Sequence, residues 1–286
     1  MKKVRIMMWS VLCGLASTVF AAQDGEVELR IVHTNDTHSC VMPVNPNSSD
    51  TALADKGGFV RRAALVRDLR AEDPDLLLFD SGDFSQGSAY YNLYKGDVEV
   101  KLMNEMRYDA ATIGNHELDF GLDNMARIFR EATFPIVCAN YHFEGTVLEG
   151  LVRPYVILER KGVKVGVFGL GTQLEGMVAS ENYKGVTYED PVTAANRVAD
   201  ELKNKEHCDL VVCLSHLGWD IDGLDDTELV PATRYIDIVL GGHSHTYFEH
   251  PEVLKDADGE DVYCNQMGKH GRYVGMLLLE MSPTGD

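Results

Sequence analysis

Residues 27–38 read VELRIVHTNDTH, an apolar run that ends in polar residues. The run from Val27 to Thr34 is dominated by aliphatic and β-branched side chains, which favours a buried strand. Asp36 and His38 follow this run closely, and carboxylate and imidazole groups both bind divalent metal ions. The segment therefore predicts a strand whose carboxyl end carries candidate metal ligands.

Further apolar runs along the chain are followed by residues of the same types. They are Leu76 to Phe79 with Asp83, Ala110 to Ile113 with Asn115 and His116, Leu210 to Leu214 with His216, and Ile236 to Leu240 with His243 and His245. In layered α/β proteins, sites form where the carboxyl ends of strands converge. A single D-x-H spacing or an isolated histidine occurs often by chance, whereas this ordered set at successive strand ends does not. The set predicts a metal centre built from Asp36, His38, Asp83, Asn115, His216, His243 and His245.

Strands and helices alternate along the chain. Further strands are predicted at residues 135–139 and 163–170, and two more within residues 262–281. Helical patterns occupy residues 58–70, 98–107, 123–132 and 193–206. This alternation predicts an α/β layered fold with helices covering the sheets. The length of 286 residues, of which 45% are hydrophobic, suffices for one well-buried domain.

The N-terminus differs in composition from the rest of the chain. Three basic residues among the first five precede an uncharged run from Ile6 to Ala22, which ends in small residues suited to cleavage. We therefore predict a signal peptide at residues 1–22 and a single mature domain at residues 23–286, in the periplasm or secreted. A membrane anchor and lipidation at Cys13 are the alternatives, although the run is short for a bilayer span.

The chain is strongly acidic, with a formal net charge of −19 that becomes −22 without residues 1–22. Such a protein has no basic footprint for nucleic acid. Its charge would also repel a phosphorylated substrate, unless bound divalent metal ions reverse the local field. Five cysteines remain after residue 22, and an odd number argues against a complete disulfide framework, although one disulfide is possible.

The ordered signature D-x-H, G-D, G-N-H-E, H and G-H-x-H resembles that of the calcineurin-like metallophosphoesterases. Within them, His33 to His38, Asp83 with Gln86-Gly87-Ser88, and Gly114 to Gly121 resemble the catalytic domain of the bacterial and animal 5′-nucleotidases. The resemblance runs from about residue 27 to residue 281. It implies a four-layer α-β-β-α sandwich of the metallo-dependent phosphatase type.

The resemblance also implies roles for the candidate ligands. Asp36, His38 and His245 would hold one divalent ion, Asn115, His216 and His243 would hold a second, and Asp83 would bridge the two. Mixed nitrogen and oxygen ligands suit zinc, manganese, iron or cobalt. Two such ions about 3.5–4 Å apart can bind phosphate while activating water.

His116 and Asp119 have a separate implied role. By resemblance, the histidine stabilises the phosphoryl transition state or protonates the leaving oxygen, and Asp119 orients it. A carboxylate of this kind fixes the tautomer of an imidazole and raises its pKa. The alternative for Asp119 is a helix cap before Gly121, and Glu117 is predicted to be structural.

The remaining aromatic and imidazole side chains receive simpler predictions. Tyr90, Tyr91 and Tyr94 are predicted to pack in a loop, with stacking on a nucleobase as the alternative. His33 is predicted to be a structural neighbour of the site. The histidines without ligand spacing are His142, His207, His250 and His270.

The chain departs from the resembled enzymes in length. Complete 5′-nucleotidases carry a second, C-terminal domain, which provides aromatic residues for the base and arginines for the phosphate. The expectation is therefore a phosphomonoesterase for a phosphorylated small molecule, foremost a nucleotide, with a separately encoded nucleoside-binding domain as a possible partner. The alternatives are a 2′,3′-cyclic phosphodiesterase, a UDP-sugar hydrolase, and a non-catalytic metal-binding subunit of a split enzyme.

Overall fold

The computed structural model describes residues 4–8, 27–49, 51 and 54–281. The predicted signal peptide therefore lies outside the described residues, apart from Val4–Met8, and so does Cys13. Among the helices of the described part, none combines the length and the apolar character that a membrane span requires.

The sheets are built mostly from short strands. Those in the described residues are, in chain order, β1 (Val4–Met8), β2 (Val27–Thr34), β3 (Leu77–Asp80), β4 (Ala110–Ala111), β5 (Ile136–Val137), β6 (Tyr141–His142), β7 (Val152–Arg153), β8 (Tyr155–Arg160), β9 (Val163–Gly171), β10 (Thr187–Tyr188), β11 (Leu210–His216), β12 (Ile238–Leu240), β13 (Glu252–Lys255), β14 (Asp261–Asn265) and β15 (Gly275–Met281).

Two large sheets contain most of these strands. The first sheet has the order β1-β15-β2-β3-β4-β5-β7, and the second has the order β13-β14-β12-β11-β9-β8. The strands from β2 to β7 in the first sheet run parallel, and so do β14, β12, β11 and β9 in the second. Strands β6 and β10 form a separate two-stranded sheet.

Helices cover the outer faces of both large sheets. They are α1 (Phe59–Glu72), α2 (Ala89–Tyr94), α3 (Asp97–Met106), α4 (Gly121–Glu131), α5 (Pro191–Asp200) and α6 (Asp226–Leu229). One apolar cluster joins α1, α3 and α4 to the first sheet, and a second joins α5 and α6 to the second sheet. A third cluster contains residues of both sheets, among them Ile31, Phe79 and Val212. The predicted four-layer α-β-β-α arrangement is therefore present.

The sheet registers place the loops with candidate ligands at one edge. Thr34 pairs with Asp80, and Asp80 with Ala111, so β2, β3 and β4 end side by side. In the second sheet, Leu214 pairs with Leu240, which aligns the ends of β11 and β12. Because the two sheets pack face to face, the loops that follow these ends meet.

Some elements differ from the sequence prediction. The tyrosine-rich segment at residues 89–94 is helix α2 rather than a loop, because the hydroxyl of Ser88 caps it by accepting hydrogen bonds from the N–H groups of Tyr90 and Tyr91. The predicted helix at 193–206 begins earlier, at Pro191, where Asp190 caps the amide of Thr193. Its last turn, Glu201–Lys205, is a π-helix.

Candidate metal centre

The predicted metal ligands converge at the edge where the two sheets meet. Asp36, His38 and His245 each bring one ligand atom within 4.8 Å of the other two. The Nε2 atoms of the two imidazoles lie 3.0 Å apart, with the ring planes nearly perpendicular, and the Nε2 of His245 lies 3.4 Å from Oδ1 of Asp36. This first triad thus joins the loops after β2 and β12.

A second triad lies beside the first and contains Asp83, His216 and His243, with ligand atoms again within 4.8 Å of one another. The Nε2 atom of His216 is 3.1 Å from Oδ2 of Asp83. His38 and Asp83 also form a further group with His116, so the two triads are adjacent. Three side chains from the second sheet and the side chains after β2, β3 and β4 therefore surround one space.

The donor set of this space fits divalent metal ions. The Oδ1 atom of Asn115 and the Nε2 atom of His216 are buried, and neither has a hydrogen-bond partner among the described residues. Buried polar atoms without partners are costly, and a bound cation would satisfy both. The Nε2 atom of His216 lies close to Oδ2 of Asp83 without forming a hydrogen bond. Two atoms that bind the same metal ion lie close together in this way.

Most of the candidate ligands have a strained backbone. The φ angles are 47° at Asp36, 42° at His38, 54° at Asp83, 70° at His243 and 57° at His245. Positive φ is uncommon outside glycine and costs on the order of 1 kcal/mol or more at each position. Strain of this kind concentrates at functional sites, where the surrounding structure maintains it.

Hydrogen bonds between the loops hold these conformations. The backbone N–H of His38 donates to the carbonyl oxygen of Asp83 at 3.0 Å, which joins the loops after β2 and β3. The backbone N–H of His243 donates to both carboxylate oxygens of Asp36, at 3.0 and 3.1 Å, which joins the two sheets. Asn35, for which the sequence pattern indicates no role, donates to Oδ2 of Asp36 at 2.6 Å and to the carbonyl oxygen of Gly268 at 2.8 Å.

His216 is oriented by the main chain. Its Nδ1 atom donates to the carbonyl oxygen of Ser81 at 2.7 Å, so Nε2 points towards Asp83. Burial disfavours the charged forms of both groups, but their mutual attraction prevails. It raises the pKa of His216 to about 10 and holds the pKa of Asp83 far below its usual range.

His116 and Asp119 form a pair at the rim of the centre. Nδ1 of His116 lies 3.0 and 3.2 Å from the two carboxylate oxygens of Asp119, and the imidazole ring centroid lies 5.5 Å from that of His38. Burial lowers the pKa of His116, but the hydrogen bond to Asp119 and the charges of Asp83 and Asp119 outweigh it, and the net shift is upward. Asp119 does not cap α4, whose N-cap is Phe120.

The three tyrosines of α2 have different environments. Tyr91 is buried, and its hydroxyl donates to the carbonyl oxygen of His116 at 3.0 Å. Tyr91 therefore stabilises the main chain of the turn that carries His116. Tyr90 and Tyr94 are exposed on the surface.

One histidine near the centre was not predicted. The ring centroid of His270 lies 5.8 Å from that of His38, and its backbone N–H donates to the carbonyl oxygen of Asp36 at 2.8 Å. The turn from Gly268 to Gly271, between β14 and β15, brings it there. His33 is fully buried, as expected of a structural neighbour, and burial lowers its pKa to about 3. His142 pairs with Glu189 instead of joining the centre.

Sulfur chemistry plays no visible part in this arrangement. The cysteines of the described residues, Cys40, Cys138, Cys208, Cys213 and Cys264, are all free thiols. Most of them are buried, and burial raises the pKa of Cys138 to about 12.

Comparison with known proteins gives a consistent result. Residues 29–247 match the model of the family described as calcineurin-like phosphoesterase. The chain is 32% identical to human 5′-nucleotidase over 296 aligned positions, covering 97% of this chain and 50% of the human protein. It is also 32% identical to the bovine 5′-nucleotidase, covering 91% of this chain and 47% of that protein.

Solved structures show the same fold. A 5′-nucleotidase precursor from Thermus thermophilus has a TM-score of 0.79 and 33% identity, covering 89% of this chain and 51% of that one. A calcineurin-like phosphoesterase from Bacillus subtilis has a TM-score of 0.72 and 27% identity, and the match covers 91% of this chain and 86% of the Bacillus chain. The chain spans about half of the length of the 5′-nucleotidases it matches. On this fold, this ligand arrangement and these similarities, the chain belongs to the calcineurin-like phosphoesterase family.

Proposed function

We propose that this chain hydrolyses phosphate monoesters with two divalent metal ions, as a 5′-nucleotidase-type phosphomonoesterase. The observation that carries the proposal is the adjacency of two ligand triads to the His116–Asp119 pair. A non-catalytic metal-binding subunit would need the triads, but it would have no use for an oriented imidazole beside them. The chain's similarity to several 5′-nucleotidases supports the same reaction class.

The proposed ligand sets follow the two triads. Asp36, His38 and His245 hold one ion, Asn115, His216 and His243 hold the other, and Asp83 serves both. When bound, such ions neutralise phosphate charge and lower the pKa of water towards neutrality. Zinc, manganese, iron and cobalt suit this mixture of imidazole, amide and carboxylate donors.

His116 acts on the substrate from the rim. Because Asp119 binds Nδ1, the Nε2 atom is the one left to face the substrate. The carboxylate also favours the imidazolium form, which can donate a hydrogen bond to the phosphoryl group or a proton to the leaving oxygen. Tyr91 holds the main chain of His116 and thereby the position of the ring.

The substrate class is proposed to be nucleotides. This rests on the relatives, which are 5′-nucleotidases about twice as long as the matched region. We therefore propose that nucleoside recognition comes from protein outside this sequence, either a longer form of the chain or a separate polypeptide.

We also propose export to the periplasm or beyond the cell, and N-terminal sequencing of the native protein tests it. A mature start near Gln23 supports cleavage, whereas retention of Met1 contradicts it.

A hydrolysis panel, in which chromatography separates the products because only the monoester releases free phosphate, tests the proposed reaction. Metal-free protein is reconstituted with Mn²⁺, Zn²⁺ or Co²⁺ and given AMP, 2′,3′-cyclic AMP and UDP-glucose in parallel. We expect turnover of AMP that depends on added metal and disappears in Asp83→Asn and His216→Ala. Preferred turnover of the cyclic nucleotide or of UDP-glucose would replace the monoesterase proposal by a diesterase or a UDP-sugar hydrolase. Full activity in metal-free protein would refute the metal-dependent mechanism.

A further inference from the structure

Glu117 is a fully buried carboxylate directly after His116. Its Oε2 atom accepts hydrogen bonds from the backbone N–H of Asp83 at 3.0 Å and of Gly114 at 2.7 Å. Its Oε1 atom accepts a third from the backbone N–H of Ser85 at 3.0 Å. Both carboxylate oxygens therefore bind main chain.

The three donors belong to the two loops that carry Asp83 and Asn115. These loops touch closely, since a Cβ atom added to Gly114 would lie 2.6 Å from the backbone nitrogen of Asp83 and 2.1 Å from its Oδ1. The sheet gives them little support at this point, because β4 consists of Ala110–Ala111 alone. The contacts of Glu117 therefore make up a large part of what joins the two loops.

The orientation of Asp83 depends on this junction. Its backbone has a φ of 54°, a conformation that needs support from its surroundings. Its Oδ1 atom accepts a hydrogen bond from the backbone N–H of His116 at 2.9 Å, which leaves Oδ2 facing His216. A small movement of either loop would redirect both oxygens.

We propose that Glu117 is a positioning residue, which sets the spacing of Asp83 and Asn115 so that both can bind the same divalent ion. The inference rests on the proposed two-metal centre. Groups that orient metal ligands commonly change metal affinity by about 10–100-fold when they are removed. Glu117 would act on the main chain of the ligands rather than on their side chains.

The variant Glu117→Gln tests this role at nearly constant size. An amide has one accepting oxygen, so its NH₂ group would face either the N–H of Ser85 or the N–H groups of Asp83 and Gly114. We expect wild-type protein to bind two Mn²⁺ ions per chain in calorimetric titrations. We expect the variant to bind the ion at Asp36, His38 and His245 with the smaller loss, because these three ligands do not depend on Glu117, and the second ion about ten-fold or more weakly. Its electron paramagnetic resonance spectrum should change from that of a coupled pair to that of an isolated ion.

Asp237→Asn is the matched control. Asp237 also holds main chain with a carboxylate, accepting from the N–H of Val211 at 2.7 Å, but at the opposite end of β11 from His216. We expect Asp237→Asn to bind both ions with wild-type affinity, even if the variant is less stable to unfolding. Two ions bound by Glu117→Gln with wild-type affinity would overturn the inference. Fewer than two ions in the wild-type protein would instead refute the dinuclear centre, and this inference with it.

A second measurement does not depend on the folding of any variant. In metal-free wild-type protein, we expect hydrogen exchange at the amides of Asp83, Ser85 and Gly114 to be as slow as in the adjoining strands. Glu117 would hold these amides before metal binds. Exchange as fast as that of open loops, followed by protection only after Mn²⁺ is added, would overturn the inference.

Discussion

His116 lies at the rim of the centre with one ring nitrogen engaged and the other directed away from its partner. The Asp119 carboxylate binds Nδ1, and the ring is about one-third exposed, at 30% of its side-chain surface. This combination lets the imidazole meet a substrate while keeping a single orientation. Its ring centroid lies 5.5 Å from that of His38, and a ligand atom of His116 lies within 4.8 Å of those of His38 and Asp83, so it stands directly beside the proposed metal ligands.

The variant His116→Asn should therefore separate chemistry from metal binding. We expect it to bind two metal ions like the wild-type protein but to lose about 10²–10⁴-fold in kcat, the range typical for a positioned proton donor. Steady-state kinetics and metal analysis on the same preparation provide the measurement. Asp119→Asn should cause a smaller loss, because the imidazole remains but is less well oriented. Loss of metal in parallel with activity would assign His116 to the ligand set instead.

Gly114 must lack a side chain because the loop that carries Asp83 lies directly against it. An added Cβ would overlap the backbone nitrogen and the carboxylate of Asp83, and neither atom can move freely. Gly114→Ala should therefore separate the loops and weaken binding of the second metal ion by about ten-fold or more. Gly166→Ala is the control, since its Cβ would meet the side chains of Leu202 and Cys208 in the core and no residue of the metal-site loops. Equal metal affinity in the two variants would contradict this explanation.

At the scale of elements, long apolar strands and helix caps can be predicted from the sequence, whereas short helices cannot. The run Val163 to Leu170 forms β9 as predicted, and Asp190-Pro191, a pair of residue types that favours a helix start, begins α5 two residues before the predicted helix. Helix α2 was missed because a six-residue helix has too few turns to show a periodic pattern. Its N-terminal capping serine was the available signal.

A buried carboxylate joins one strand to the helix that follows it. Asp226, at the start of α6, accepts a hydrogen bond from the hydroxyl of Ser215 in β11 at 2.5 Å. Burial raises its pKa from 3.8 to about 7. Between these pH values the folded chain keeps a proton that the unfolded chain has released. This contribution to stability is complete below pH 3.8 and is lost as the pH rises through about 7.

Asp226→Asn should therefore change the pH dependence of stability. The amide still accepts the hydrogen bond of Ser215, but it does not titrate. Relative to wild type, the variant should gain on the order of 1 kcal/mol per pH unit between pH 5 and 7. Urea unfolding of metal-free protein at several pH values measures this, without a bound cation to alter the pKa. Parallel stability curves for the two proteins would show that Asp226 is ionised throughout.

At the scale of the whole molecule, the sequence predicts the layers and the ligand set but not the way in which loops approach one another. The layers follow from apolar runs such as Val27 to Thr34, whose burial is a local pattern. The position of His270 beside His38 depends on contacts between segments more than 200 residues apart, and no local pattern encodes them. The positive φ angles of Asp36 and Asp83 likewise exist because other loops maintain them.

The proposed metal ions would also connect the two halves of the sandwich. Asp36 and Asp83 follow strands of the first sheet, whereas His216 and His243 belong to the second, so each ion would bind ligands from both. A ligand that binds only the folded state at 100 times its Kd adds about 2.7 kcal/mol. For a chain of this size that amounts to roughly 5–10 °C in Tm. Chelation should lower Tm by this amount and Mn²⁺ should restore it, while His216→Ala should respond little. A wild-type Tm that does not change on chelation and metal addition would mean that no ion holds the sheets together.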